Sequence, residues 1–458
     1  MERINQETFI NQVKHSPAAR FTRQLLLAAV LGIAGCQSAP SPKETVVSTP
    51  SVSQPLGISP EKVDGNLDCY ERYGLELREK KEATSFDGLA LTPPMGWNGF
   101  NAFGYSVNER IVKEVAGAMA GNCMREAGYE YVNLDEGWQS TDREGDGTIK
   151  VDTKNFPSGI KSLADYIHSK GLKFGIYTAV GTTGCQGDVK RAGSYGHEEQ
   201  DVKTYAGWGV DFVKVDWCGE PKDYSFQGAQ RTAKLYSDAI KESGRPMVLS
   251  ISCGGCAESW KWPKGIINMW RVGPDIHDQW EGSDHSVLGI INKSHLQESA
   301  PFAEPGRWSD ADMLRVGNSN LTPAQSRSHF SIWAIVASPL IAGNDVRNMS
   351  QHTKDILLNG EVIAINQDKK GSPATKISEK NGLQVWVKDL ANPKVKAILF
   401  LNTTSKSQDV SLSWNDLGLQ GKVSVRDLWK KKDIGSSIEQ ISATVDPHDS
   451  VFITASTK

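Results

Sequence analysis

Asp211-Phe212-Val213-Lys214-Val215-Asp216-Trp217-Cys218 is an apolar, β-branched run that ends by delivering a lysine, an aspartate and a cysteine. It reads as a buried parallel strand whose last residues emerge into a site. A strand ending in an ordinary charged turn would look the same over eight residues, so the rest of the chain has to decide. Comparable apolar runs occur at 131–135, 173–178 and 247–253, separated by helical patterns such as 160–170 and 229–243. Strand followed by helix, repeated, builds a parallel sheet with helices outside it. Shorter strands fit at 94–98, 269–272, 309–314 and 339–343. Eight strands predict a closed (β/α)8 TIM barrel, whose site belongs where the strands end.

Beyond about residue 371 the pattern changes to period two. The segments 383–388, 396–402, 423–428 and 451–454 alternate, with Asn, Gly, Asp and Ser turns between them. This predicts a C-terminal antiparallel β-sandwich that adds no cluster of acids or ligands. The expected organisation is a signal over 1–36, a Ser/Pro-rich tether and extension over 37–84, the barrel over 85–368 and the sandwich over 369–458.

The 458 residues carry 51 Lys plus Arg against 54 Asp plus Glu. So even a balance, without a basic block, argues against nucleic acid and anionic lipid as partners and for a neutral one. The thirteen Trp and eleven Tyr suit sugar rings, although most aromatics serve the core.

Near the N-terminus, Arg20 and Arg23 precede an apolar run over 25–34 that is too short to span a membrane and ends in Ile33-Ala34-Gly35-Cys36. It resembles a bacterial lipoprotein signal, which implies lipidation of Cys36, export and a membrane anchor. A plain secretory signal is the alternative. An exported chain can oxidise its other six cysteines. Cys185 and Cys218 each follow a predicted strand, at one end of a barrel. Cys253-Gly254-Gly255-Cys256 has the spacing of a redox or zinc pair, but no second ligand pair accompanies it, which favours a short structural bridge.

The carboxylates at the strand ends carry the chemistry. Asp135 and Glu136, Asp216, Asp275, Asp310 and Asp312 all stand there. Such a ring suits either a metal or a glycosidic bond held between a nucleophilic and a protonated carboxyl group. Of the nine histidines only His277 stands beside these acids, so the glycoside reading is favoured. Lys214, two residues before Asp216 on the same strand face, would hold that aspartate ionised. Asp310 is read as a helix cap, and Trp97 as a packing residue.

The run Leu91-Thr92-Pro93-Pro94-Met95-Gly96-Trp97-Asn98, together with 128–138, 156–159, 170–178, 214–218, 308–313 and 362–368, resembles glycoside hydrolase family 27. That resemblance implies a retaining, exo-acting α-galactosidase acting on oligosaccharides or glycans, with no metal or organic cofactor. It implies Asp216 as nucleophile and Asp275 as general acid/base. Phe100, Asp135, Glu136, Tyr177, Lys214, Arg271 and Asp312 are implied to bind the sugar, and Cys185 and Cys218 to form a disulfide.

The chain also departs from the family. Phe100 stands where tryptophan is usual, and Tyr105 and Gly137 together replace a cysteine pair. Gly254 and Gly255 replace residues near the sugar's 2-position, which keeps an α-N-acetylgalactosaminidase in view. Glu136 replaces an aspartate, and its extra methylene is expected to push the carboxylate towards the space of galactose's hydroxymethyl group. L-Arabinopyranose lacks that group, so β-L-arabinopyranosidase is the leading alternative activity. A non-catalytic glycan-binding lipoprotein is the alternative from another class.

Overall fold

The computed structural model describes residues 67–76, 87–185 and 189–457. The expectations for Cys36 and the signal lie outside the described residues. Eight strands form the first sheet: β1 (Met95–Asn98), β2 (Tyr131–Leu134), β3 (Lys173–Ala179), β4 (Phe212–Asp216), β5 (Val248–Ser252), β6 (Met269–Arg271), β7 (Trp308–Asp310) and β8 (Leu340–Ala342). Neighbours pair in parallel in the order β8-β1-β2-β3-β4-β5-β6-β7. Leu314, just past β7, closes the ring through a parallel bridge to Ala342, with Leu314 N donating to Ile341 O at 2.8 Å. The barrel expected from the alternating pattern is therefore present.

Each strand alternates its side chains between two environments. Val132, Phe174, Ile176, Val213, Val215, Leu249 and Ile251 face outward and are buried under the helices. Tyr131, Phe212, Val248 and Met269 form a separate apolar cluster. The rings of Tyr131 and Phe212 meet at 5.5 Å although β3 lies between their strands, which requires both to point into the barrel. Gly175, on β3 between them, leaves that interior space open, since a Cβ there would stand 3.1 Å from Phe212 Cβ and 1.9 Å from Asn133 Oδ1. Above this apolar floor the same inward faces carry Lys214 and Asp216 on β4, Ser250 and Ser252 on β5, and Arg271 on β6. Polarity rises along the barrel axis, and the charged layer opens at the C-terminal ends of the strands. A cavity of about 920 Å³ at the opposite end is bordered by Pro94, Tyr131 and Lys173.

Among the covering helices, Phe226–Ser243 starts where Ser225 Oγ accepts from Gly228 N at 3.0 Å and stops at Gly244, in the left-handed region. Pro323–Ile335 opens on a capping box of Thr322 and Gln325, and its residues from Ser328 to Ile335 are all buried. Burial on all sides follows from its place between barrel and sandwich. A short helix, Leu67–Tyr73, falls in the stretch read as a tether and extension, and Cys69–Cys123 ties it to the barrel.

The C-terminal part comprises β9 (Thr375–Lys380), β10 (Leu383–Asp389), β11 (Val395–Asn402), β12 (Gln408–Ser413), β13 (Val423–Asp427), β14 (Lys432–Ser437), β15 (Gln440–Val445) and β16 (Ser450–Thr457). Six of them make one antiparallel sheet in the order β9-β10-β11-β16-β13-β14, faced by the β12–β15 pair. On β11 the period of two divides labour: Ala397, Leu399 and Leu401 join the barrel core, whereas Ile398 and Phe400 join the core between the sheets.

Candidate active site

Asp216 ends β4, with Lys214 one pleat below on the same face. Lys214 Nζ lies 2.8 Å from Asp135 Oδ2 and 3.8 Å from Asp216 Oδ2. Burial works against the lysine's charge, but the carboxylates of Asp135 and Asp216 outweigh it and hold Lys214 above the usual lysine range. Burial likewise pushes the Asp216 carboxyl upward, Lys214 opposes the shift, and Asp135 adds to it. Asp135 is fixed from three directions. Its Oδ2 also accepts from Asn98 Nδ2 at 2.7 Å, and its Oδ1 from Glu136 N at 2.8 Å.

The second charged group centres on Arg271 at the end of β6. Its Nη2 reaches Asp275 Oδ1 at 2.8 Å and Asp312 Oδ2 at 2.7 Å. Asp312 Oδ2 also accepts from Ile276 N at 2.7 Å, which ties the loop carrying Asp275 to β7. Asp312 adopts φ 79, an uncommon backbone for a non-glycine residue, held by Trp333 Nε1 donating to its carbonyl. The Asp275 side chain is 84% exposed. Desolvation acts upward on it, but the charges of Arg271 and then Lys214 prevail and hold its carboxyl below the usual range.

Cys185 and Cys218 form a disulfide, as the resemblance implied. Cys185 Sγ lies 3.3 Å from Asp216 Oδ2 and 3.2 Å from the Tyr177 hydroxyl, so the bridge is part of the wall beside Asp216. Tyr177 is fully buried. Burial, followed by the charges of Asp216 and Glu136, keeps its hydroxyl protonated. Cys253 and Cys256 are also bonded to each other, in agreement with a structural bridge.

Two readings change. Asp310 caps no helix: its Oδ1 accepts from Asp312 N at 2.9 Å in a turn, and burial pushes its carboxyl to about 6. Arg271, whose Nη2 is shared by Asp275 and Asp312, keeps the place expected of it beside Asp275. Glu136 does not project freely. Its Oε2 accepts from the Tyr105 hydroxyl at 3.1 Å and from Cys185 N at 3.3 Å, so the added methylene carries the carboxylate onto the wall. Phe100 meets the Tyr105 ring edge-to-face at 5.5 Å. Trp97 is fully buried and donates to Asn344 O, as a packing residue does.

Asn98 and Ser252 were missed from sequence, although both end barrel strands and the strand-end rule would have found them. Ser252 stands beside Asp216 in the β4–β5 register and favours that carboxyl's charged form. His285, whose Nδ1 lies 2.7 Å from the Asp275 carbonyl, carried no signal, because it approaches from ten residues away in a loop.

Residues 92–368 match a family described as alpha galactosidase A, and residues 380–455 match the alpha galactosidase C-terminal beta sandwich domain. The alpha-galactosidase A of Cellvibrio japonicus is 41% identical over 389 residues, covering 81% of this chain and 93% of that protein. Alpha-galactosidase I from Mortierella vinacea superposes with a TM-score of 0.78 at 36% identity, over 81% of this chain and 98% of that one. A β-L-arabinopyranosidase from Geobacillus stearothermophilus superposes at 0.73 with 28% identity, over 82% and 99%.

Proposed function

The chain belongs to the alpha galactosidase A family of glycoside hydrolases, and from that membership we infer that it hydrolyses terminal α-D-galactosyl residues of oligosaccharides or glycans with retained configuration. The observation that carries the mechanism is the pairing of two differently held carboxyl groups in one charged layer: Asp216 beside Lys214, and exposed Asp275 beside Arg271. In the first step an Asp216 oxygen attacks the anomeric carbon, the bond to the leaving sugar breaks, and Asp275 gives its proton to the departing oxygen. In the second, Asp275 takes a proton from water as that water displaces Asp216. Lys214 favours the ionised nucleophile, while Asp135, Glu136, Tyr177, Asp312 and Phe100 surround the sugar.

An acid must hold its proton when the bond breaks, yet Arg271 favours the charged form of Asp275. The exposure of that side chain resolves the conflict. A seated glycoside covers it, removes water and sets a neutral ether oxygen against it, all of which raise its pKa.

Proton NMR of the sugar first released from an α-galactoside tests the assignment, with α-galactose expected. Release of the β-anomer would overturn retention and the nucleophile role together. Asp216→Asn is expected to abolish turnover. Preference for β-L-arabinopyranosides is the second reading, supported by Glu136 and by the Geobacillus enzyme's fold. We also propose export with a lipid anchor at Cys36. The apolar run ending there and the three disulfides among the described residues support it. Metabolic labelling with a radioactive fatty acid, lost in Cys36→Ser, is the check.

A further inference from the structure

Glutamate reaches about 1.5 Å further than aspartate. At the sugar-binding position beside Asp135, that length alone would bring a carboxylate into the opening. Glu136 is nevertheless only 2% exposed. Two donors hold the same oxygen, Tyr105 from the loop after β1 and the Cys185 amide from the loop after β3. The other oxygen lies so close to Gly184 that a Cβ there would stand 2.0 Å from it. Tyr105 is itself placed by contacts on several sides. Phe100 packs edge-to-face against it, and the Arg191 guanidinium lies 5.7 Å from its ring centroid. A Cβ on Gly137 would come within 3.6 Å of its Cδ1. Gly137, at φ 129, thus lies in van der Waals range of the ring, and the ring's hydroxyl reaches back to the residue before Gly137. Tyr105, Glu136 and Gly184 form a matched set.

We propose that Tyr105 is a specificity-determining positioning residue, whose hydroxyl holds the Glu136 carboxylate on the pocket wall and so keeps open the space a galactoside's hydroxymethyl group needs. This rests on the α-galactosidase reading and deepens it. A hydroxyl bonded to a buried carboxylate is a charge-assisted contact. Without it, of these two donors that oxygen keeps only the longer bond, from the Cys185 amide, and the carboxylate can swing off the wall into the opening. β-L-Arabinopyranosides lack the hydroxymethyl group and are spared the collision. Cys185 also touches Asp216, so a shift of Glu136 can slow every substrate. The diagnostic quantity is therefore the ratio of kcat/KM for nitrophenyl α-galactopyranoside to that for the β-L-arabinopyranoside.

Wild type, Tyr105→Phe, Glu136→Asp and the double variant are measured, with thermal melts to verify folding. Tyr105→Phe is expected to lower the ratio about tenfold or more, the scale on which one methylene is discriminated. Adding Glu136→Asp is expected to restore it to within about threefold of wild type, since the shorter side chain no longer reaches the opening. An active wild type whose ratio ignores Tyr105→Phe overturns this proposal alone. So does a Glu136→Asp gain that is equal with and without the Tyr105 hydroxyl. A wild type that turns over neither glycoside overturns the α-galactosidase reading as well.

Discussion

Asp216 and Asp275 are chemically identical side chains assigned opposite tasks, and their neighbours set the difference. Burial pushes Asp216 up, whereas Arg271 draws exposed Asp275 down. In the free enzyme few molecules therefore carry the proton on Asp275 and not on Asp216. A bound glycoside desolvates Asp275 and raises its pKa. The alkaline limb of kcat, which reports the complex, is expected to lie about one pH unit or more above that of kcat/KM, which reports the free enzyme. Profiles over pH 3–9 with an α-galactoside check this, and coincident limbs would refute it. Asp310, pushed to about 6, ionises in the same window and also faces Arg271 and Asp312, so the profiles are repeated in Asp310→Asn. In Asp275→Asn the alkaline limb is expected to vanish, and nitrophenyl substrates should lose less activity than disaccharides because their leaving group needs no proton.

Strand β10 shows what alternation costs when a charged residue falls on the wrong face. Gln384, Trp386 and Lys388 face the barrel, and Lys388 is fully buried, with Nζ donating to Ile365 O at 2.7 Å. Burial pushes this lysine to about 7 from 10.5, with Asp368 opposing. The unfolded chain keeps a proton between those values that the folded chain has released, so stability rises with pH across roughly pH 7 to 10.5 and is lowest below 7. Lys388→Met removes this dependence. The unfolding free energy of wild type relative to that variant is expected to grow with pH by a few kcal/mol, on the order of 1–4. Comparing the two removes contributions common to both proteins, including the buried tyrosines, which titrate higher. Urea melts at pH 6, 8 and 9.5 measure the difference, and a flat difference would show that Lys388 stays charged when buried.

Barrel and sandwich do not behave as separable parts. Trp386, Leu399, Leu401, Leu428 and Phe452 from the sandwich belong to the same apolar cluster as Trp333, Phe330 and Ile335 of the barrel. Polar ties cross the boundary as well: Arg426 with Glu361, Arg327 with Asp449, and Trp429 Nε1 with Ser331 Oγ. Truncation after Asp368 would uncover the apolar side of helix Pro323–Ile335, and the truncated chain is expected to be insoluble or unfolded. The full chain should unfold in one transition, with near-UV and far-UV signals coincident. A soluble, active truncated barrel, or two resolved transitions, would contradict this.

The local pattern was enough for elements and for the faces they present. In 211–218 the β-branched run made a strand, and its period of two put Lys214 and Asp216 on one face whatever their neighbours were. The same logic located the strand-end acids and the β-sandwich, because a residue's face depends only on its position within its own element. Contacts between loops were settled by tertiary structure. The Tyr105–Glu136 bond, the sharing of Arg271 by Asp275 and Asp312, and the Cys69–Cys123 bridge join segments whose meeting depends on barrel closure and side-chain rotamers, neither of which is encoded in local periodicity. Glu136 shows the limit most clearly. Its length was plain from the sequence, but its direction depended on a hydroxyl thirty-one residues away and on the absence of a Cβ at Gly184.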